Sequence, residues 1–201
     1  MAGSDYSLNT TDVLDIVDAP CNTILFEDIC NMDGISGIFP EFCFDDHGVG
    51  RCLLNYLYED NYGHWVGLCI NPSLTKDGKN CMEIEYFDPY GSFIDDIIGD
   101  FDARTKMEHN SDYPYLLKLL YSSGAEIYYN HFPLQSRKVG VNTCGRWTGF
   151  FLRYCGSVTV DEFGQSFMNV SKKYKVNRDQ LITDLTNDVL NGEDHLEFDR
   201  E

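Results

Sequence analysis

The sequence is short of positive charge, of long apolar runs and of closely spaced metal ligands. Its 201 residues carry 15 Lys and Arg against 33 Asp and Glu, a formal net charge of -18. This balance disfavours general attraction to nucleic acid or to anionic membranes. No apolar stretch approaches the roughly 18 residues of a membrane span, and the N-terminus lacks the charged-then-apolar pattern of a signal peptide. We therefore expect an intracellular, soluble protein that is not secreted and binds no membrane.

The eight cysteines include no CxxC pair, and no closely spaced Cys and His ligands recur, so a zinc site is not supported. The cysteines are also too sparse for the dense disulfide scaffold of a small secreted domain. We therefore predict mostly reduced, mostly buried thiols and no metal or organic cofactor. The cysteines lie at positions 21, 30, 43, 52, 69, 81, 144 and 155.

What the sequence does contain is apolar and aromatic material for a core. Hydrophobic residues make up 43% and aromatic residues 14% of the chain, too much for a disordered protein. We predict a single domain over residues 1–191, followed by an acidic tail over residues 192–201.

Residues 127–178 carry 8 basic and 2 acidic side chains within this acidic chain. That segment is either a patch for an acidic partner or an ordinary solvated face, and we expect the second.

Hydrophobic periodicity and turn residues predict helices around a small central sheet, mixed or antiparallel, which is an α+β fold. Residues 30–50 lack a clear period and are predicted to be an ordered loop. Residues 71–80 have the composition of a turn, so the strands on either side should form a hairpin. The predicted strands are 64–70, 81–87 and 125–132, and the predicted helices are 10–20, 112–122, one opening at 142–144, 160–170 and 177–190.

Four short segments carry residue types that acyl-transfer chemistry uses. Each has an ordinary structural interpretation when it is taken alone: a core histidine, an Asp-Pro turn, a loop glutamine and a buried cysteine. The four are His64 in GHWVG, Asp88 in FDPYG, Gln135 in FPLQ and Cys144 in NTCGRW.

Taken together, these residues supply the parts of a thiol nucleophile's active site. A helix start lowers the pKa of a thiol such as Cys144, and an imidazole beside it forms a thiolate–imidazolium pair. His64 opens one strand of the predicted hairpin and Asp88 ends the other, so the carboxylate can orient the imidazole. The side-chain amide of Gln135 and the backbone N–H of Cys144 can hold an oxyanion.

The order His-Trp, Asp-Pro-Tyr-Gly, Gln and Cys-Gly at a helix start resembles the adenovirus maturation protease and the SUMO-specific proteases. The resemblance extends over about residues 60–155 and implies their permuted papain-like fold. It also implies that His64 is the general base, Asp88 the orienting acid, Gln135 the oxyanion donor and Cys144 the nucleophile. The segment from His64 to the Asp88 motif is more similar to the viral branch.

The resemblance implies a monomeric viral maturation protease that cleaves capsid or precursor proteins after small residues such as Gly, in the host cytoplasm or nucleus and in the virion. A protease that removes ubiquitin-like modifiers remains an alternative, as do an acetyltransferase on the same fold and a binding module that keeps an inactive protease fold. The four possibilities predict different substrates. A maturation protease would cleave precursor peptides, a deconjugating protease would cleave modifier tails, an acetyltransferase would use acetyl-CoA, and a binding module would turn over none of these.

Three features depart from the family pattern. Gln135 lies nine residues before Cys144, a longer gap than the family has. Arg146, two residues after Cys144, is expected to point outward into solvent. The adenovirus enzyme is basic and uses DNA as a cofactor, whereas this chain is acidic, so nucleic acid is not expected as a partner.

Overall fold

The computed structural model describes residues 3–32, 37–59, 62–74 and 80–191. The strands within them are β1 (Asn22–Leu25), β2 (Cys43–Phe44), β3 (Gly50–Glu59), β4 (Tyr62–Leu74), β5 (Asn80–Phe87) and β6 (Glu126–Tyr129). These six strands form one mixed sheet in the order β1-β3-β4-β5-β6, and β2 pairs with residues 50–51 of β3, next to the residues that pair with β1. The β1/β3 and β5/β6 pairs are parallel and the other pairs are antiparallel.

Helices cover both faces of this sheet, which confirms the predicted α+β class. None of the helices in the described part of the chain has the length and apolarity that crossing a membrane requires. In chain order the helices are α1 (Thr10–Val17), α2 (Phe26–Ile29), α3 (Ala103–Glu108), α4 (Tyr115–Ser122), α5 (Cys144–Tyr154), α6 (Val160–Tyr174) and α7 (Arg178–Leu190), with short 3-10 turns at Phe39–Glu41 and Asp96–Asp100.

The sheet separates two apolar cores. Helices α2 and α4 pack on one face, and α1, α5, α6 and α7 pack on the other. Along β3 the side chains alternate between the cores: Leu54 and Tyr56 enter the first, and Leu53 enters the second. Because both faces are buried, the strand is an almost continuous apolar run rather than an alternating one. This explains why the sequence pattern did not predict β3.

The predicted hairpin is present as β4 and β5, but its strands are longer than predicted. Residues 71–74, predicted as part of the turn, continue β4 and pair with β5. The rest of the predicted turn, residues 75–79, lies outside the described residues, as does the acidic tail over 192–201. The strand predicted at 125–132 is shorter, and the helix predicted from residue 112 begins at Tyr115, because Pro114 occupies its N-cap.

The side chain of Arg51 connects β3 to the C-terminal end of α5 by hydrogen bonds. Its buried guanidinium donates Nε to the carbonyl of Leu152 at 2.8 Å and Nη2 to the carbonyl of Cys155 at 3.3 Å. Nη1 forms a 2.8 Å ion pair with Asp45. A cation at a helix C-terminus also complements the helix dipole. Arg51 therefore fixes the helix that carries Cys144 against the sheet.

Replacing Arg51 with Met should lower the free energy of unfolding by about 2–4 kcal/mol, because helix carbonyls and the Asp45 carboxylate lose a charged donor. Urea unfolding followed by circular dichroism measures this change. Arg104→Met is the matched control, since Arg104 is 80% exposed and pairs with Glu108 within α3. Equal unfolding midpoints for the two variants would show that Arg51 does not anchor α5.

Candidate active site

The antiparallel pairing of β4 and β5 brings His64 and Asp88 together. His64 lies near the start of β4, and Asp88 follows the last residue of β5, so the two meet at the same end of the hairpin. His64 Nε2 lies 2.8 Å from Asp88 Oδ1, and both side chains are buried. The same carboxylate oxygen accepts a 2.8 Å hydrogen bond from the backbone N–H of Tyr90. The Asp-Pro turn thus holds the carboxylate in place.

Cys144 is the first residue of α5 and lies 7% exposed beside His64. The imidazole and the backbone at Trp65 and Gly145 lie close enough to the thiol to lower its pKa through hydrogen bonding. Asp88 engages Nε2, which leaves Nδ1 as the ring nitrogen available to the thiol. Gly145 lets the first turn of α5 pack closely against α1 and Trp65, because a Cβ atom at that position would lie 2.8 Å from a methyl carbon of Val13 and 3.2 Å from Cδ1 of Trp65.

The electrostatics of the pair favour a thiolate and an imidazolium. Burial by itself would lower the pKa of His64, but the Asp88 carboxylate and the Cys144 thiol outweigh it and raise that pKa to about 9. Burial likewise would raise the pKa of Cys144, but the hydrogen bond and charge of His64 outweigh it and lower that pKa. A lowered thiol pKa beside a raised histidine pKa is the pattern of an activated cysteine nucleophile.

The pKa values of other thiols shift in the opposite direction, upward. Burial raises the pKa of Cys21 to about 12 and also raises the pKa values of Cys30 and Cys52. The seven cysteines whose side chains the structure describes are all free, and the described residues contain no cluster of three or more His, Cys, Asp or Glu side chains that could hold a metal. Cys144 is therefore distinguished by its environment rather than by its exposure.

Tyr90 and Arg137 complete a stack on the imidazole that the sequence did not identify. The ring of Tyr90 lies parallel to that of His64, with centroids 4.5 Å apart and planes 4° apart. The guanidinium of Arg137 lies 4.4 Å from the centroid of the Tyr90 ring, and Asp100 holds it at 2.8 Å. The stack fixes the plane of the imidazole. The only sequence signal was the place of Tyr90 in the Asp-Pro-Tyr-Gly motif.

Gln135 lies beside this stack. Its backbone N–H donates to the carbonyl of Pro89 at 2.9 Å, which links it to the Asp88 turn. Its side-chain Nε2 donates to the carbonyl of Val141 at 3.2 Å and lies 3.5 Å from the hydroxyl of Tyr90. The structure thus brings His64 into direct contact with Asp88 and places Cys144 within electrostatic reach of His64. Gln135 is joined to them through Tyr90 and the chain before Cys144.

The predicted outward orientation of Arg146 is wrong. Arg146 is fully buried, and its Nη1 donates to the hydroxyl of Thr186 on α7 at 2.6 Å. Burial lowers its pKa. Two positions along a helix turn the side chain by about 200°, which follows from 3.6 residues per turn. Arg146 therefore points away from Cys144 and into the packing between α5 and α7.

No protein-family model matches the chain. Among curated proteins, it is 28% identical over 180 residues to "Uncharacterized protein V9" of Sputnik virophage. The aligned residues cover 90% of this chain and 94% of that protein. Among solved structures, it is similar to the ASFV pS273R protease, with a TM-score of 0.45 and 17% identity over 88% of this chain and 68% of the other. At this TM-score and identity, the likeness assigns no function to the chain.

Iodoacetamide should alkylate Cys144 at lower pH than the other cysteines, because its lowered pKa keeps a thiolate populated below the ordinary titration range of a thiol. His64→Ala should move the alkylation of Cys144 to higher pH, since the imidazolium stabilises the thiolate. Peptide mass mapping over pH 5–9 measures both, with Cys30 as an internal control. Faster alkylation of another cysteine, or an unchanged Cys144 profile in His64→Ala, would show that the two residues are not a coupled pair.

Proposed function

We propose that this protein is a cysteine peptidase with Cys144 as nucleophile, His64 as general base and acid, and Asp88 as the orienting carboxylate. The observation that carries the proposal is the 2.8 Å contact between Asp88 and His64 beside Cys144, with the pKa of the thiol lowered and that of the imidazole raised. A structural cysteine buried in a core has its pKa raised, as Cys52 does.

In the proposed reaction the Cys144 thiolate attacks the carbonyl carbon of a peptide bond and forms a carbon–sulfur bond. The imidazolium of His64 gives its proton to the leaving amine as the carbon–nitrogen bond breaks. His64, now neutral, then takes a proton from water, and the hydroxide attacks the thioester. The carbon–sulfur bond then breaks, which restores the thiolate beside the imidazolium, and the carboxylic acid product leaves and loses its proton to solvent.

The oxyanion of each tetrahedral intermediate is assigned to the backbone N–H of Cys144 and to the side-chain amide of Gln135. One amide hydrogen of Gln135 is used by the carbonyl of Val141. The other donates a long, 3.5 Å hydrogen bond to the hydroxyl of Tyr90, and we assign that hydrogen to the oxyanion, which would take the place of the hydroxyl. The hydrogen bond to Val141 would then hold the amide in place during the reaction.

The substrate class we propose is a capsid or precursor protein of a virus, cleaved by a monomeric enzyme inside the infected cell. The similarity to a virophage protein over 90% of the chain supports a viral origin. The burial of His64 and Cys144 supports a narrow site that admits small residues such as glycine. Precursor peptides, fluorogenic tails of ubiquitin-like modifiers and acetyl-CoA, assayed side by side, separate this proposal from the deconjugase and acetyltransferase alternatives.

Cys144→Ala should abolish peptide cleavage, a loss of more than about a hundredfold, while the fold is retained, because the covalent nucleophile is removed but little core volume is lost. His64→Ala should be nearly as damaging, and Asp88→Asn should keep measurable activity. Initial rates of fluorogenic peptide cleavage test this order, with Cys43→Ala as the matched cysteine control. Substantial cleavage by Cys144→Ala would remove Cys144 from the mechanism.

Gln135→Ala should lower kcat by about 10²–10³-fold with a smaller change in KM, the usual effect of losing one oxyanion donor. Gln165→Ala on α6 is the control, because Gln165 is exposed and bonds only within its own helix. Steady-state kinetics on the best peptide measures both constants. Wild-type kcat in Gln135→Ala would assign the oxyanion to backbone donors alone.

A further inference from the structure

The first turn of α7 contacts both ends of residues 136–143, the segment that we call the nucleophile loop because Cys144 follows it. Asp179 is 5% exposed and accepts a 2.6 Å hydrogen bond from the hydroxyl of Thr143 at the end of the loop. The same carboxylate accepts from the backbone N–H of Ser136, at 3.2 Å to one oxygen and 3.4 Å to the other, at the start of the loop. One buried carboxylate thus joins the two ends.

These two ends are the neighbours of two candidate catalytic groups. Ser136 directly follows Gln135, and Thr143 directly precedes Cys144. The middle of the loop lies in solvent, since Val139 is fully exposed. The long gap between Gln135 and Cys144 therefore forms an outward bulge whose base is held by Asp179.

Thr143 uses its hydroxyl in an unusual way for its position. A threonine at the N-cap of a helix ordinarily accepts a hydrogen bond from the first turn of its own helix. Thr143 is the N-cap of α5, yet its side chain makes no such bond and donates to Asp179 instead. The bond does not cap α5; it fixes where α5 begins.

Asp179 is itself held firmly. The side chain of Asn177 caps α7 by accepting from the backbone N–H of Asp179 at 2.8 Å. A carboxylate in the first turn of a helix is also favoured by the helix dipole. The neighbouring Arg178 donates to the carbonyls of Leu134 at 3.2 Å and Pro133 at 3.0 Å, so α7 also holds the chain just before Gln135.

We propose that Asp179 is a positioning residue, which acts through Ser136 and Thr143 to set the separation between the Gln135 amide and the Cys144 thiol. This inference rests on the proposed peptidase function. A displaced reacting group costs rate more than binding, so kcat should change more than KM.

The test compares isosteric changes at both ends of the bond. Asp179→Asn and Thr143→Val should each lower kcat about tenfold or more with KM within about twofold, and Thr143→Ser should restore most of the rate because it keeps the hydroxyl. Asp188→Asn, an exposed acid on the same helix, is the control and should match wild type. Thermal midpoints of all variants check that each is folded.

The second measurement is the pH profile of Cys144 alkylation by iodoacetamide, which needs no peptide substrate. If Asp179 positions α5, Thr143→Val should shift the alkylation profile of Cys144 to higher pH, because the interaction between Cys144 and His64 loosens. Thr143→Val removes no charge, so such a shift does not come from a lost charge near the thiol. Folded Asp179→Asn and Thr143→Val variants with wild-type kcat and wild-type alkylation profiles would overturn the positioning role. If wild type cleaves no peptide, the proposed function fails, while the alkylation profiles still decide the role of Asp179.

Discussion

The structure of the candidate site depends on the 2.8 Å contact between His64 and Asp88 at the end of the β4–β5 hairpin. An imidazolium buried this deeply is tolerated only beside a charge of opposite sign, because an unpaired buried charge is costly. The strand register supplies that charge: Gly67 pairs with Phe87, so the residues beyond this pair converge at one end of the sheet. The Tyr90 ring and the Asp-Pro turn then fix the imidazole and the carboxylate.

The second requirement is a helix held at a fixed distance from that imidazole. Hydrogen bonds to three other parts of the chain hold α5 along its length. Asp179 contacts its N-cap, Arg51 contacts its last carbonyls, and in between the hydroxyl of Thr148 donates to the carbonyl of Trp65 at 3.0 Å. That last bond joins α5 to the residue next to His64. The nucleophile and base of the proposed mechanism are thus carried by elements bonded directly to each other.

The sequence predicted the parts of the site that local patterns determine. A hairpin, a helix start and the order of four motifs were enough to place His64, Asp88 and Cys144 in one site. Strand β3 was missed because both of its faces are buried, which removes the alternation that identifies a half-exposed strand. The burial of Arg146 and the contact of Asp179 with the nucleophile loop depend on the packing of α7 against α5. No local pattern encodes that packing, so these features required the structure.

The proposed mechanism requires Cys144, activated by His64, to attack an electrophilic carbon at the cleavage position of a peptide. Peptide vinyl sulfones that carry glycine, alanine or leucine before the reactive group test this step, followed by tandem mass spectrometry of the adduct. The mechanism predicts a single adduct at Cys144, formed fastest with the glycine probe and absent from His64→Ala. Adducts spread over other cysteines, or equal labelling of wild type and His64→Ala, would contradict it.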